Sequence, residues 1–156
     1  MADVNYAAAA KVFNKIEAYF KSKDWKYDKN TEKLEFSYQV DGDDLPMRFT
    51  LFVDAERELI RLLSFIPFNY AEDKRVEGAV AVCTANFGMI NGCFGYDISD
   101  GKIFHKLSVP YMDIDISNEM IQYIMGLGIT MVDKYNDRFF ALNKGYISIA
   151  DFMKDE

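Results

Sequence analysis

The chain of 156 residues is half hydrophobic and 15% aromatic, a composition that excludes disorder and supplies one ample core rather than two small ones. Eighteen basic against 25 acidic residues leave a net charge of −7, which opposes the phosphate neutralisation behind most nucleic-acid affinity and excludes DNA and RNA as partners. No apolar run approaches the length that spans a bilayer, and MADVNYAAAAKVF lacks the basic region and apolar stretch of a secretory signal, so a soluble cytoplasmic protein without a membrane partner is expected.

From Asp3 onward, Tyr6, Ala9, Phe13, Ile16 and Phe20 recur at three-to-four spacing, with Lys11, Asn14, Glu17 and Lys21 on the other side. That pattern predicts an amphipathic helix over about 4–21. KSKDWKYDKNTEK reads as a polar connection. KLEFSYQV then alternates, Leu34, Phe36, Tyr38 and Val40 against Glu35, Ser37 and Gln39, and MRFTLFV alternates again with Met47, Phe49, Leu51 and Val53 inward. The two form a hairpin across the DGDDLP break.

DAERELIRLLSFIPF fits two periods. Leu59, Leu62, Leu63 and Ile66 make a helical stripe behind Asp54, whereas Ile60, Leu62, Ser64 and Ile66 share one face of a strand. A hairpin alone is marginal and needs a further strand. The strand reading over about 58–66 is therefore adopted, with VDAERE as the return turn and Pro67 ending the run. It makes the strand apolar on both faces, with Leu59, Leu63 and Phe65 opposite Ile60, Leu62 and Ile66.

AEDKRVEGAVAVCTANFGMI predicts a helix over about 71–88, acidic at its start, with Val76, Ala79, Val80, Cys83 and Phe87 along one side and Gly88 as a stop. GCFGYDI and KIFHKLSV read as a hairpin around Ser99, Asp100 and Gly101. Ser117 caps a last long helix packed through Ile121, Ile124, Gly128, Met131, Val132 and Tyr135, and SIADFMKDE adds a short helical turn. The class is α+β in the order α-β-β-β-α-β-β-α, a mostly antiparallel five-stranded sheet with helices beside it.

Candidate chemistry is sparse. His105, the lone histidine, alternates with Ile103 and Leu107 and reads as a satisfied structural residue, since no nucleophile or orienting group accompanies it. Asp113 and Asp115 share one side of an extended segment with Glu119 nearby. They could hold a hard cation such as magnesium, but an exposed loop before a helix explains them as well. DGDDL and DISDGK lack the spacing and closing glutamate of a calcium loop, and Gly88, Gly92 and Gly95 match no phosphate-binding pattern. Cys83 and Cys93 read as two reduced, buried thiols without the ligands for zinc. Gly126 and Gly128 permit close packing, either against a second helix or within the core. No catalytic, cofactor or metal site is expected.

FTLFVDAERELIRLLSFIPF, then Asn86, then GCFGYDISDGKIFHKLSV resembles the bacterial YbjN-like family of candidate sensory transduction regulators. The resemblance covers most of the chain, read as one YbjN-like domain over 1–156. It rests on the apolar third strand ending in Ile66 and Pro67, on the asparagine, and on Tyr96, Asp97, Asp100 and Gly101. It implies a type III secretion chaperone-like fold, and with it a small acidic dimer holding an extended segment of a protein client, without nucleotide or metal. The expectation is a non-catalytic, chaperone-like or regulatory module. A homodimer or client contact is expected at Phe52, Leu59, Leu63 and Phe65, because a strand apolar on both faces needs a cover on each. The alternative is a small-molecule-binding protein or unrecognised hydrolase using the Asp113, Asp115 and His105 neighbourhood. A pocket holding a perturbed histidine favours that alternative, and a broad apolar patch favours the module.

Overall fold

The computed structural model describes residues 4–154, so Asp3 lies outside the described residues. Asn5 opens the first helix, α1 (Tyr6–Ser22), by accepting the Ala8 N–H at 3.0 Å. Then follow β1 (Asp28–Asn30), β2 (Glu35–Asp41), β3 (Pro46–Asp54), β4 (Leu59–Asn69), α2 (Arg75–Phe87, entered through a single 3-10 turn at Glu72–Lys74), β5 (Cys93–Asp97), β6 (Lys102–Pro110), α3 (Asn118–Asn143) and α4 (Ile149–Lys154). The strands form one antiparallel sheet in the order β1-β2-β3-β4-β6-β5.

The opening ambiguity resolves to strand. In β4, Ile60, Leu62, Ser64 and Ile66 are buried, while Leu59, Arg61, Leu63 and Phe65 face the other way. Two details differ from expectation. A sixth strand, β1, lies in the segment read as a connection, pairing Asp28–Asn30 with Glu35–Ser37. Pro67 does not end β4, which continues to Asn69. The register against β6 breaks between Phe65 and Asn69, and an irregular stretch tolerates a residue with no N–H to donate.

The helices lie on one side of the sheet, over Phe36, Tyr38, Met47, Phe49, Leu51, Ile60, Leu62, Phe94 and Leu107. Phe13 of α1 stacks on Phe36 at 4.4 Å, and Phe139 of α3 meets Phe94, Tyr135 and Phe152 within 6 Å. Ser117 caps α3 as expected, accepting the Met120 N–H at 3.2 Å. Gly128 lets α3 settle onto the sheet rather than onto a helix, since a Cβ there would collide with Leu62, while Gly126 faces open space.

The face of α2 is a correction. Its packed side is Gly78, Ala81, Val82 and Ala85, and Gly78 lets the helix approach the Tyr70 ring and the Tyr96 hydroxyl. Val76, Val80 and Phe87 therefore point outward, Phe87 at 94% exposure, and Ile90 in the loop beyond the helix is exposed as well. Cys83 lies on the same exposed side and Cys93 is half-buried, so the free thiols are not both buried.

Asn86 joins this helix to the second hairpin. Its side-chain carbonyl accepts the Phe94 N–H at 2.7 Å and its amide donates to the Phe94 carbonyl at 2.9 Å, in place of a strand partner. Asn86→Ala leaves both backbone groups unpaired, and a loss of about 2 kcal/mol is expected, one hydrogen bond's worth for each. Urea unfolding checks this, and an unchanged midpoint would mean that the clamp contributes nothing.

Candidate functional site

Alternation places the residues expected at a contact together on the bare side of the sheet. Phe52 of β3 and Leu59, Leu63 and Phe65 of β4 all face away from the helices. The ladder extends the patch sideways. Leu63 pairs with Thr50 and Lys106, and Phe65 pairs with Phe104 of β6, their ring centroids 5.6 Å apart. Gly95 of β5 makes room for the Phe104 ring, which any Cβ at that position would strike. Phe65 is 54% exposed, and Arg61 covers the Phe52 ring at 4.9 Å. Arg61 is itself held by Asp54, whose carboxyl stays below its usual range through hydrogen bonds to Arg57 and Arg61 despite partial burial. The result is an apolar strip crossed by the anchored Arg61, which lies between Leu59 and Leu63 and opposite Phe52, with Phe65 its exposed end.

The histidine expected to be satisfied is not. His105 is fully buried opposite Ser64 and against Phe94 at 5.2 Å, and neither ring nitrogen, nor the Ser64 hydroxyl, meets a hydrogen-bond partner among the described residues. Burial pushes its pKa down to about 4, which keeps it neutral at neutral pH. Asp113 and Asp115 lie elsewhere, in the loop after β6, where Asp115 pairs with Lys11 and Lys15 of α1 at 3.5 and 3.8 Å. The structure does not bring His105 and the two aspartates into one site.

Clefts among the described residues include the following two. One of about 680 Å³ lies between β1 and β3 and includes Lys26, Asp28, Gln39 and Arg48. Because β1 ends opposite Ser37, the Tyr38–Asp41 part of β2 has no strand partner on that side among the described residues. The other, of about 320 Å³, joins Asn5 and Lys11 of α1 to Glu58, Tyr111, Asp113 and Asp115. Of these, sequence reading singled out only the two aspartates.

The chain shares the fold of YbjN and of type III secretion chaperones. No protein-family model and no curated protein matches the sequence. Among solved structures, the chain is similar to YbjN from E. coli, described as a candidate transcription regulator, at 8% identity and a TM-score of 0.60 over 81% of this chain and 92% of that one. A chain of the ExsC–ExsE complex aligns at 14% identity and TM-score 0.59, over 83% and 93%. A chain of the HopA1–SchA chaperone–effector complex aligns at 15% and 0.51, over 83% and 94%. The shared property is the fold.

Proposed function

We propose that this chain is a non-catalytic, chaperone-like protein-binding module that works in the cytoplasm as a homodimer on a protein client. The observation that carries the proposal is the exposed Phe65, with the half-buried Phe52, Leu59 and Leu63 beside it, on the face of the sheet opposite the helices. A second copy is its simplest cover, and a two-fold contact sets the strip against itself. An extended client segment can add main-chain hydrogen bonds along the free Tyr38–Asp41 edge of β2. The similarity to a chaperone–effector complex supports the class of partner, and the sealed histidine supports a role without acid-base chemistry.

The test is light scattering on the full chain at tens of micromolar. A dimer is expected for the unmodified protein, burying about 1,200 to 2,000 Å², and Phe65→Asp, which places two charges in one contact, is expected to give a folded monomer. A monomeric unmodified protein overturns the homodimer. A second reading places the two-fold contact on the outward side of α2, with Val76, Val80 and Phe87, which is more exposed than the strip. In that case Phe87→Asp dissociates the dimer and Phe65→Asp leaves it intact.

A further inference from the structure

Packing dictates a glycine at position 92. Gly92 lies in the loop that leads from α2 into β5, with φ of 78°, in the left-handed region that favours glycine. A Cβ there would sit 3.0 Å from Nε2 of the buried His105 and 3.2 Å from the Lys106 carbonyl oxygen, tighter than side chains ordinarily pack. The residue before it is Asn91, which makes 91–92 the one Asn-Gly step in the sequence. Asparagine is a chemically labile residue, and most of all before glycine. There the backbone amide reaches the preceding carboxamide most easily, because glycine has no side chain to obstruct the approach or to restrict the rotation that it needs.

The loop leaves that attack open. Asn91 and Gly92 belong to no helix or strand and are both partly exposed, so solvent base can reach the amide. The Gly92 N–H meets no hydrogen-bond acceptor among the described residues. The Asn91 side chain is restrained by one bond there, its amide donating to the hydroxyl of the half-exposed Tyr123 at 3.2 Å, and its carbonyl is unengaged. The Asp-Gly step at 100–101, in the adjoining hairpin, has the protected arrangement instead. Its Gly101 N–H donates to the Asp97 carbonyl at 2.8 Å, and both carboxylate oxygens of Asp100 are taken by Lys102.

We propose that Asn91 is a site of spontaneous deamidation in the folded protein. The Gly92 amide gives its proton to solvent base, and its nitrogen attacks the side-chain carbonyl carbon of Asn91. The new nitrogen–carbon bond closes a succinimide ring while the bond to Nδ2 breaks, and that nitrogen leaves as ammonia with a proton from water. Water then opens the ring at either carbonyl to give an aspartate or an isoaspartate, with no change of oxidation state. Either product adds a negative charge next to the exposed Ile90. The isoaspartate also lengthens the main chain by one carbon at the entrance to β5, where Gly92 packs on His105. The inference stands apart from the protein-binding reading and from the dimer.

The test holds the full folded chain for weeks in mildly alkaline buffer at physiological temperature and maps its peptides by mass spectrometry, with each gain in mass and each isoaspartate assigned to a single residue from fragment spectra. Conversion at Asn91 is expected at least tenfold faster than at every other asparagine, as a mixture of the two products, and Asn91→Gln is expected to abolish isoaspartate at this position. Conversion no faster than at the other asparagines would overturn the proposal, as would a gain in mass without isoaspartate, which excludes the ring. So would an Asn91 that survives in the folded chain and converts only in urea, because the loop and Tyr123 then hold the carboxamide away from the Gly92 nitrogen.

Discussion

Replacing Gly101 with alanine is expected to lower the melting temperature by about 6 to 12 °C. Gly101 sits in the β5–β6 turn with φ of 75°, a conformation that costs other residues about 1 kcal/mol or more. The larger effect is steric. A Cβ at this position would collide with the Tyr70 carbonyl oxygen and lie 2.8 Å from the Tyr70 nitrogen, and backbone cannot step aside as a side chain can. The obstructed strand end is heavily tied. Tyr70 donates its N–H to the Gly101 carbonyl at 2.8 Å and its hydroxyl to the Phe139 carbonyl at 2.9 Å, while Asn143 bridges Asn69 and Ala71. Moving Tyr70 away loosens the hairpin, β4 and α3 together, for a total of about 3 kcal/mol, and 1 kcal/mol corresponds to about 2–4 °C at this size. Calorimetry checks it. A shift under 2 °C would mean that the turn relaxes without disturbing Tyr70.

The hairpins were legible because burial on one face writes a period of two into the sequence. Phe36 and Tyr38, then Met47 through Val53, then Ile60 through Ile66, each alternate as the sheet requires. β1 was not legible, since Asp28, Lys29 and Asn30 are all exposed and carry no apolar signal. Main-chain pairing holds them, and nearby Trp25 and Tyr27 pack on Phe20. The orientation of α2 failed for a related reason. Hydrophobic spacing points to Val76, Val80 and Phe87, but the packed side was chosen by size: Gly78 lies so close to the Tyr70 ring and the Tyr96 hydroxyl that a Cβ there would press on both. Apolar periodicity finds a helix's oily face, and here that face is left outside.

The candidate contact strip was readable from the same alternation, because a strand apolar at successive positions must show some of them to the side without helices. The acidic cleft was half readable. Asp113 and Asp115 share a short stretch of chain, but Glu58 joins them only through the backbone bond from the Tyr111 N–H to its carbonyl, and a contact across more than fifty positions leaves no local pattern. Likewise the position of His105 on an inward face followed from Ile103 and Leu107. That its nitrogens find no partner depends on Ser64 and Phe94, neighbours set by strand pairing rather than by sequence proximity.

Acid should therefore unfold this protein earlier than its carboxylates alone require. In the unfolded chain His105 titrates near 6.5, whereas burial lowers its folded pKa to about 4. At neutral pH the ring is uncharged in both states and contributes no pH dependence. As pH falls from about 6.5 towards 4, the unfolded chain takes up a proton that the folded one resists, so stability declines with acid, by up to about 3 kcal/mol for 2.5 pKa units, and levels off below 4. Asp54, Asp97, Asp100 and Glu17 act in a lower window. Their folded pKa values are depressed, so what they contribute is present above their unfolded values near 4 and is lost as pH falls through the folded ones. The interval between pH 6.5 and 4.5 thus isolates the histidine. Urea unfolding at half-unit steps should show the decline in the unmodified protein, and His105→Leu, which fills the site with a side chain that cannot be charged and needs no partner, should flatten it. Parallel slopes for the two proteins would mean that the imidazole reaches a proton acceptor in the folded state and that its burial is not what makes the fold acid-sensitive.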